Sequence, residues 1–291
     1  MSNSKKIMRA AAIHDLSCFG RCALTVVIPV LSAMGIQCIP LPTALLSTHT
    51  GGFDGIFVES LTEQMKKTYA HWQQLGVEFD AIYSGYLADE GQIEVVGDFI
   101  EKFRRENTLT LVDPVFADDG VYYSRTTDAL VSAMKELCKL ADVITPNITE
   151  ACALCGVGYD VFEKTKNEDK IKFVFDLIEK LYSDIGVKKI AITGIETSDC
   201  KNKYICTCGI DKDKNDSKVI SLDKVGGGYP GTGDLFASVV LSKMLCGKDF
   251  EDAISFASSF TRDTIEFSTN FDTPAREGVS LEPCIRRLIQ K

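Results

Sequence analysis

The sequence predicts an α/β protein in which a central, mostly parallel sheet lies between two layers of helices, a three-layer α/β/α arrangement. Short β-rich runs alternate with longer helical runs along all 291 residues, as is typical of strands joined by crossover helices. Neither an internal repeat nor a Pro/Ser-rich linker interrupts the chain. We therefore expect a single domain over residues 1–291.

The first half of the chain is predicted to form four units, each a strand followed by a helix. Apolar runs such as IMRAAAIHD and TLTLVDPV have the length of buried strands, and the segments between them have helical spacing. The strands are predicted at 7–15, 36–41, 79–85 and 108–115, and the helices at 23–35, 59–75, 90–105 and 126–140. The segment PTALLSTHTGGFDG, after the second strand, is predicted to be a loop because Pro, Thr and Gly interrupt it.

The second half continues the alternation and adds a hairpin. KNKYICTCGI and SKVISLDKV flank the polar tip KDKNDS, which predicts two antiparallel strands. The other elements are strands at 142–147 and 188–194 and helices across 148–183, 232–268 and 279–290.

Unusual polar residues stand where the predicted strands end. They are His14 with Asp15, Ser84 to Tyr86, Asp113 with Pro114, Thr145 to Asn147, and Thr193 with Gly194. In parallel sheets, ligands gather at the carboxyl ends of the strands. This coincidence predicts a binding site along that edge of the sheet.

Composition excludes some functions. A net charge of −9 and a pI near 5 argue against nucleic acid or an anionic membrane as the main partner. Eleven scattered cysteines and no signal-peptide pattern favour a reduced, cytoplasmic setting in which most cysteines fill the core. The one pair with metal-binding spacing, Cys152 and Cys155, lies in a predicted helix without a second pair, so core packing is favoured there.

The stretch VGGGYPGTGD, residues 225–234, follows a strand and opens a helix. Glycines let backbone N–H groups approach a ligand closely, and the first helical turn adds unpaired N–H groups with partial positive charge. This combination suits a phosphate. A dinucleotide-binding fingerprint is a weak alternative because helices follow the stretch, and a Walker A loop is excluded because its Gly-Lys-Ser/Thr motif is absent. The structural alternative is a glycine-rich turn capped by Asp234.

Within this stretch, Gly231, Thr232, Gly233 and Asp234 resemble the GTGD signature of the ribokinase superfamily of small-molecule kinases. The segments AAIHD, LLSTHTGGF, SGYL, VDPVFADDG and DVITPNITEA are similar, in the same order, to segments of its pyridoxal kinase branch, from about residue 7 to 268. The resemblance implies a ribokinase-like fold. It also implies ATP-dependent phosphorylation of the 5′-hydroxymethyl group of a B6 vitamer.

The resemblance also implies roles. Asp234 would be the general base, and residues 231–234 would form an anion hole, of which Gly231, Thr232 and Gly233 would also bind ATP. Asp113 and Glu150 would organise Mg²⁺, partly through water, around the phosphates of ATP on the nucleotide side, and Thr145, Asn147 and Thr193 would lie on the same side. Asp15, Thr50, Gly51 and Tyr86 would line the vitamer site. A K⁺ requirement and a homodimer are further expectations.

Several alternatives remain open at this point. Relatives often have Ser where this chain has Asp15, which leaves the preferred vitamer open, and the reactivity of Cys18 and Cys22 is open as well. Hydroxymethylpyrimidine kinases share the fold but commonly carry GTGC. Phosphorylation of hydroxymethylpyrimidine or another small alcohol, a non-catalytic pyridoxal phosphate binder and, last, a nicotinamide enzyme are the rival functions. His49 is expected to fix its loop, and His14 and His71 have no distinguishing context.

Overall fold

The computed structural model describes residues 6–289. Its strands, in chain order, are β1 (Arg9–Phe19), β2 (Gln37–Thr48), β3 (Val58–Ser60), β4 (Ala81–Ser84), β5 (Leu109–Val112), β6 (Ala117–Asp118), β7 (Val121–Tyr122), β8 (Val143–Ile144), β9 (Lys189–Ser198), β10 (Lys203–Asp211) and β11 (Asp216–Asp223). Its α-helices are α1 (Leu24–Ala33), α2 (Thr62–Gln74), α3 (Glu90–Phe103), α4 (Asp128–Cys138), α5 (Ile148–Leu154), α6 (Tyr159–Lys164), α7 (Lys170–Ile185), α8 (Thr232–Leu245), α9 (Phe250–Ser268), α10 (Leu281–Cys284) and α11 (Arg286–Ile289).

Nine of these strands form one sheet in the order β11-β10-β9-β8-β5-β4-β1-β2-β3. The six strands from β9 to β2 are parallel, whereas β3, β10 and β11 are antiparallel additions at the two edges. This topology confirms the predicted ribokinase-like α/β class with a mostly parallel sheet. The chain passes from β1 outward to β2 and then returns to β4 on the other side of β1, so a crevice opens at the carboxyl ends of β1 and β4.

The core lies on both faces of the sheet. Along β1, Ala11 and Ile13 pack with the helices α2 to α5 and α7, whereas Ala10 and Ala12 pack with α1 and α8 to α11. Strands that are buried on both faces have mostly apolar sequences, which is why the sequence predicts the positions of these strands well. The pairing of β1 with β2 shifts register between His14 and Leu16, and such a bulge redirects a side chain at the carboxyl edge.

The predicted loop after the second strand is partly wrong, because β2 continues to Thr48. Pro42 begins the segment predicted to be a loop, and Pro40 lies in the predicted strand before it. In the structure both prolines precede Ala44, where pairing with β3 begins, so β2 has only β1 beside it at these positions. Proline is tolerated on such a free edge because no ladder N–H is needed there.

Short elements were missed or merged. The edge strand β3 and the β6–β7 hairpin were not predicted, and the predicted helix 279–290 is two short helices, α10 and α11, with residue 290 outside the described part of the chain. The hairpin turn at Asp119 and Gly120 has positive φ at both residues, as a type I′ turn requires, and the Asp-Gly pair was its sequence signal.

Most of the cysteines lie in the interior of the protein, as predicted. Six of them, including Cys152 and Cys155, are buried, and all eleven are free thiols. Within residues 6–289, no helix combines the length and apolarity needed to cross a lipid bilayer.

Candidate active site

The glycine-rich stretch lies at the carboxyl edge of the sheet and leads into α8. Gly231 has a left-handed conformation with φ 78°, and its carbonyl accepts the first helical hydrogen bond from Leu235 N–H at 3.0 Å. The N–H groups of the following turn, Thr232 to Asp234, have no intrahelical partner because of their position. The Thr232 hydroxyl donates back to the Tyr229 carbonyl at 3.1 Å, which braces the turn.

Gly231 also permits a close approach by the turn between β1 and α1. A Cβ atom at this position would lie 2.3 Å from the Arg21 carbonyl oxygen, and one at Gly278 would lie 2.5 Å from the same oxygen. The Arg21 side chain pairs with Glu282, because its Nε–H is shared between the two carboxylate oxygens at 2.8 and 2.9 Å. The β1–α1 turn is therefore clamped between the start of α8 and the C-terminal segment.

This turn holds the Asp234 carboxylate. The Ala23 N–H donates to Asp234 Oδ2 at 2.8 Å, and the Cys22 thiol approaches the same oxygen at 3.6 Å. Burial raises the pKa of Asp234, while the amide and the thiol act against that rise. Burial, and then the charge of Asp234, raise the pKa of Cys22 well above its usual range, so Cys22 stays a thiol.

Two further carboxyl groups, from Asp15 and Asp113, share this space. Burial raises the pKa of Asp15 to about 7 and that of Asp113 to about 8, and in both the charge of Asp234 adds to the rise. Asp15 accepts from the Ser17 hydroxyl at 2.9 Å. These acids disfavour one another's negative charge, and a bound ligand with a positive charge or a hydrogen-bond donor would offset that repulsion.

Thr145 and Asp113 form one unit at the ends of β8 and β5. The Thr145 hydroxyl donates to Asp113 Oδ1 at 2.9 Å, whereas Oδ2 is buried without a partner in the described protein. A Cβ atom at Gly233 would lie 4.0 Å from Asp113 Oδ2. The free oxygen of Asp113 therefore faces the first turn of α8.

Glu150 and Asn147 form a capping box at the start of α5. Asn147 Oδ1 accepts from Glu150 N–H at 3.0 Å, and Glu150 Oε2 accepts from Asn147 N–H at 2.9 Å. The other Glu150 oxygen accepts from the Phe116 and Ala117 amides, and the Asn147 amide donates to the Ala117 carbonyl. Both predicted site residues thus anchor the β6–β7 hairpin, and Thr193 lies beside Asn147 through a parallel bridge.

Besides Asp15 in β1, the predicted vitamer-side residues come from two segments, the loop after β2 and the residues after β4. Thr50 and Gly51 lie in the exposed loop after β2, and the Gly51 N–H donates to His49 Nδ1 at 3.1 Å. His49 Nε2 faces the Arg276 carbonyl at 2.5 Å, so Nε2 carries the proton and His49 fixes the loop, as predicted. Tyr86 follows β4 and is near Asp15, whose charge adds to the rise in the tyrosine pKa caused by burial.

Sequence reasoning missed three contributors. His14 lies 3.7 Å from Asp234, Ala23 donates its amide to it, and Arg276 covers the Phe53 ring at 4.9 Å beside the predicted vitamer loop. The end of the predicted strand at His14 and Asp15, which in the structure lies inside β1, was a signal for His14, but it did not distinguish the roles of the two side chains. The other two depend on contacts across more than 200 residues, for which the sequence has no local signal.

The residues around Asp113 fit a hard cation. An unpartnered, buried carboxylate oxygen is a ligand that Mg²⁺ prefers. Both Glu150 oxygens already accept backbone N–H groups, so its metal role, partly through water, stays a prediction. Among residues 6–289, no group of three or more His, Cys, Asp or Glu side chains is arranged to hold a metal ion.

The raised pKa of Asp113 predicts a stability effect. Folding raises the pKa of this carboxyl group from its ordinary value of 3.8 to about 8. Between these two pH values the folded protein keeps a proton that the unfolded chain releases, so the stability of the fold decreases as the pH rises from about 4 to about 8. We expect Asp113→Asn to raise the thermal midpoint of the free protein by about 2–6 °C at pH 8, and by less as pH falls toward 4. Differential scanning calorimetry across pH checks this, with the exposed Asp223→Asn as control. If Asp113→Asn changed the thermal midpoint equally at about pH 4 and about pH 8, the raised pKa of Asp113 would be contradicted.

The fold and this edge of the sheet define a small-molecule kinase of the ribokinase-like superfamily. A model of the phosphomethylpyrimidine kinase family matches residues 15–277, and the chain belongs to that family. Its relatives and structural neighbours support the pyridoxal kinase branch.

Curated relatives carry both names. A hydroxymethylpyrimidine/phosphomethylpyrimidine kinase from Aquifex aeolicus is 28% identical over 238 residues, covering 80% of this chain and 85% of that protein. A Schizosaccharomyces pombe protein named "putative pyridoxal kinase" is 28% identical over 174 residues, covering 59% of this chain and 48% of that protein. The match therefore spans about half the length of the second relative.

Two solved structures resemble the whole chain. A Bacteroides thetaiotaomicron protein, named a "putative phosphomethylpyrimidine kinase" and crystallised with pyridoxal, is 36% identical with a TM-score of 0.88, covering 97% of this chain and 96% of that one. Pyridoxal kinase from Lactobacillus plantarum is 27% identical with a TM-score of 0.84, covering 98% and 97%.

Proposed function

We propose that this kinase transfers the terminal phosphoryl group of ATP to the 5′-hydroxymethyl group of a B6 vitamer. The position of Asp234 is the main support for this proposal. Asp234 lies in the first turn of α8, and its Oδ2 accepts a hydrogen bond from the Ala23 amide. The pyridoxal bound to the Bacteroides relative and the name of the Lactobacillus one support the choice of vitamer.

Asp234 would accept the proton of the hydroxyl group as it attacks. The new bond joins the vitamer oxygen to the terminal phosphorus, the bond from phosphorus to the bridging oxygen breaks, and ADP leaves with the electron pair. Burial raises the pKa of the Asp234 carboxyl group, and a higher pKa makes the ionised carboxylate a stronger base. The unpaired N–H groups of Thr232 to Asp234 would stabilise charge on the moving phosphoryl group.

The nucleotide would lie beside the β6–β7 hairpin. Asn147 and Glu150 hold the base of that hairpin, and Thr193 lies beside Asn147. Thr145 donates to Asp113, whose free oxygen faces the start of α8. A bound Mg²⁺ would neutralise charge on the phosphates, with Asp113 the residue best placed to hold it. K⁺ dependence, a homodimer and a cytoplasmic location stay predictions.

The vitamer would lie at the crevice between β1 and β4. Asp15 is a buried carboxyl group that can accept from a ring hydroxyl or a protonated ring nitrogen. Tyr86 offers an aromatic face near it, and Thr50 and Gly51 would close the site from the loop after β2. This arrangement suits a flat, polar heteroaromatic ring.

A pyrimidine alcohol is the second candidate. The description of the family model and the name of the Aquifex relative favour hydroxymethylpyrimidine or its phosphate. Such a ring carries amino and ring-nitrogen groups, which Asp15 could also bind.

A substrate panel separates these functions. Purified protein with ATP and Mg²⁺ is assayed for ADP release with pyridoxal, pyridoxine, pyridoxamine, hydroxymethylpyrimidine, its phosphate and ribose. We expect kcat/KM for the best B6 vitamer to exceed that for either pyrimidine by at least about tenfold, a difference of about 1.4 kcal/mol in transition-state binding. The reverse order would assign a pyrimidine kinase. Tight vitamer binding without turnover of any alcohol would indicate a non-catalytic binder.

A further inference from the structure

His14, in the middle of β1 just before its bulge, is a fully buried imidazole next to Asp234. Its Nδ1 lies 3.7 Å from Asp234 Oδ1, and neither ring nitrogen has a hydrogen-bond partner within the described residues. A buried polar group without a partner destabilises a protein, and its retention needs an explanation. Burial lowers the pKa of His14 to about 3, so the ring is neutral and no ion pair with Asp234 forms at neutral pH.

The ring is held in one orientation by its neighbours. It packs edge-to-face on Tyr83, with the centroids 4.3 Å apart and an interplanar angle of 77°. A Cβ atom at Gly85 would lie 2.3 Å from His14 Nδ1, so the imidazole fills the space that any other side chain at position 85 would need. The protein therefore presents Nδ1 to the base with little freedom to turn away.

The two oxygens of Asp234 meet different groups from the same segment. Oδ2 accepts from the Ala23 amide, and Ala23 has φ 50° and ψ −130°, a conformation that is strained for a residue with a side chain. Oδ1 faces His14. The Asp234 carboxylate therefore contacts a strained turn at Oδ2 and lies beside an unpaired, buried imidazole at Oδ1.

We propose that His14 positions the general base, with its Nδ1–H donating to Asp234 Oδ1 when substrates are bound. This inference rests on the proposed function. The separation of 3.7 Å is longer than a hydrogen bond, but catalytic contacts in unliganded enzymes are often long and shorten in the substrate complex. The bond would hold one lone pair of Oδ1 and leave the carboxylate aligned on the vitamer hydroxyl.

Substitutions at position 14 test this role. His14→Leu removes the donor, and His14→Asn keeps an N–H donor where Nδ1 lies. We expect the Leu variant to lower kcat by about 10- to 100-fold, with the vitamer KM within about threefold, and its thermal midpoint to be unchanged or higher because an unpaired polar group is gone. The Asn variant should keep kcat within about threefold of the parent protein. His71→Leu, on the exposed face of α2, is the control.

A double-variant cycle separates positioning from general damage. In an Asp234→Asn background, measured with high enzyme concentrations, His14→Leu should lower kcat by less than about twofold further, because the two residues act as a unit. The same 10- to 100-fold loss in both backgrounds, or wild-type kcat for His14→Leu, would overturn the inference. His14→Met, a flexible apolar side chain, replaces the Leu variant if that variant does not fold. Failure of the proposed function would appear separately, as an inactive parent protein in the substrate panel.

Discussion

Asp234→Asn should lower kcat by about 10²- to 10⁴-fold while leaving the vitamer KM nearly unchanged, because it removes proton acceptance without removing volume. The Asn side chain keeps an oxygen that can accept the Ala23 N–H, so the β1–α1 turn should stay in place. Steady-state kinetics with the best vitamer and saturating ATP measure the effect, and Asp223→Asn, an exposed carboxylate at the end of β11, is the matched control.

The loss should come with equal or higher stability. Burial and neighbouring charge disfavour ionised carboxyl groups in this cluster, so an amide at position 234 relieves repulsion toward Asp15 and Asp113. A variant that turns over at the wild-type rate would remove Asp234 from the mechanism. A variant that unfolds would mean that the carboxylate holds the turn rather than the substrate proton.

Gly231→Ala should have the largest effect of any single methyl group in the glycine-rich stretch. The new Cβ would lie 2.3 Å from the Arg21 carbonyl oxygen, and φ of 78° is itself unfavourable for alanine. We expect a loss of about 2–4 kcal/mol in the free energy of unfolding and a fall in kcat of more than about tenfold. Chemical denaturation and the ADP-release assay measure the two quantities.

Gly228→Ala is the matched control in the same stretch. No atom lies within 4 Å of the position that its Cβ would take, and its φ is not in the left-handed region. It should therefore change stability by less than about 1 kcal/mol. Equal effects of the two substitutions would show that the stretch needs general flexibility rather than the close contact between Gly231 and the β1–α1 turn.

The parallel middle of the sheet and the position of α8 were predictable because each is encoded locally. Strands such as β4 and β5 are mostly apolar and buried on both faces, and the Gly-rich stretch before Asp234 has a direct consequence for backbone conformation. The position of polar residues at strand ends likewise follows from parallel topology, since those ends share one edge.

Other features could not be read from local sequence. The length of β2 depends on which of its edges is free at Pro40 and Pro42, and that is a property of the assembled sheet. His14 lies one residue from Asp15 in sequence, yet it packs on Tyr83 and approaches a carboxylate 220 residues away because of strand alternation and the bulge that follows it. Asn147 and Glu150 were predicted as nucleotide-side residues, and the hydrogen bonds that tie them to the β6–β7 hairpin appear only in three dimensions.

A crystal structure with pyridoxal and a non-hydrolysable ATP analogue would show whether phosphoryl transfer takes place at the start of α8. We expect the terminal phosphate to lie within hydrogen-bond distance of the N–H groups of Thr232 to Asp234, and the 5′-hydroxyl group to donate to Asp234. A triphosphate bound away from these amides, or a hydroxyl group that points to another residue, would contradict this expectation.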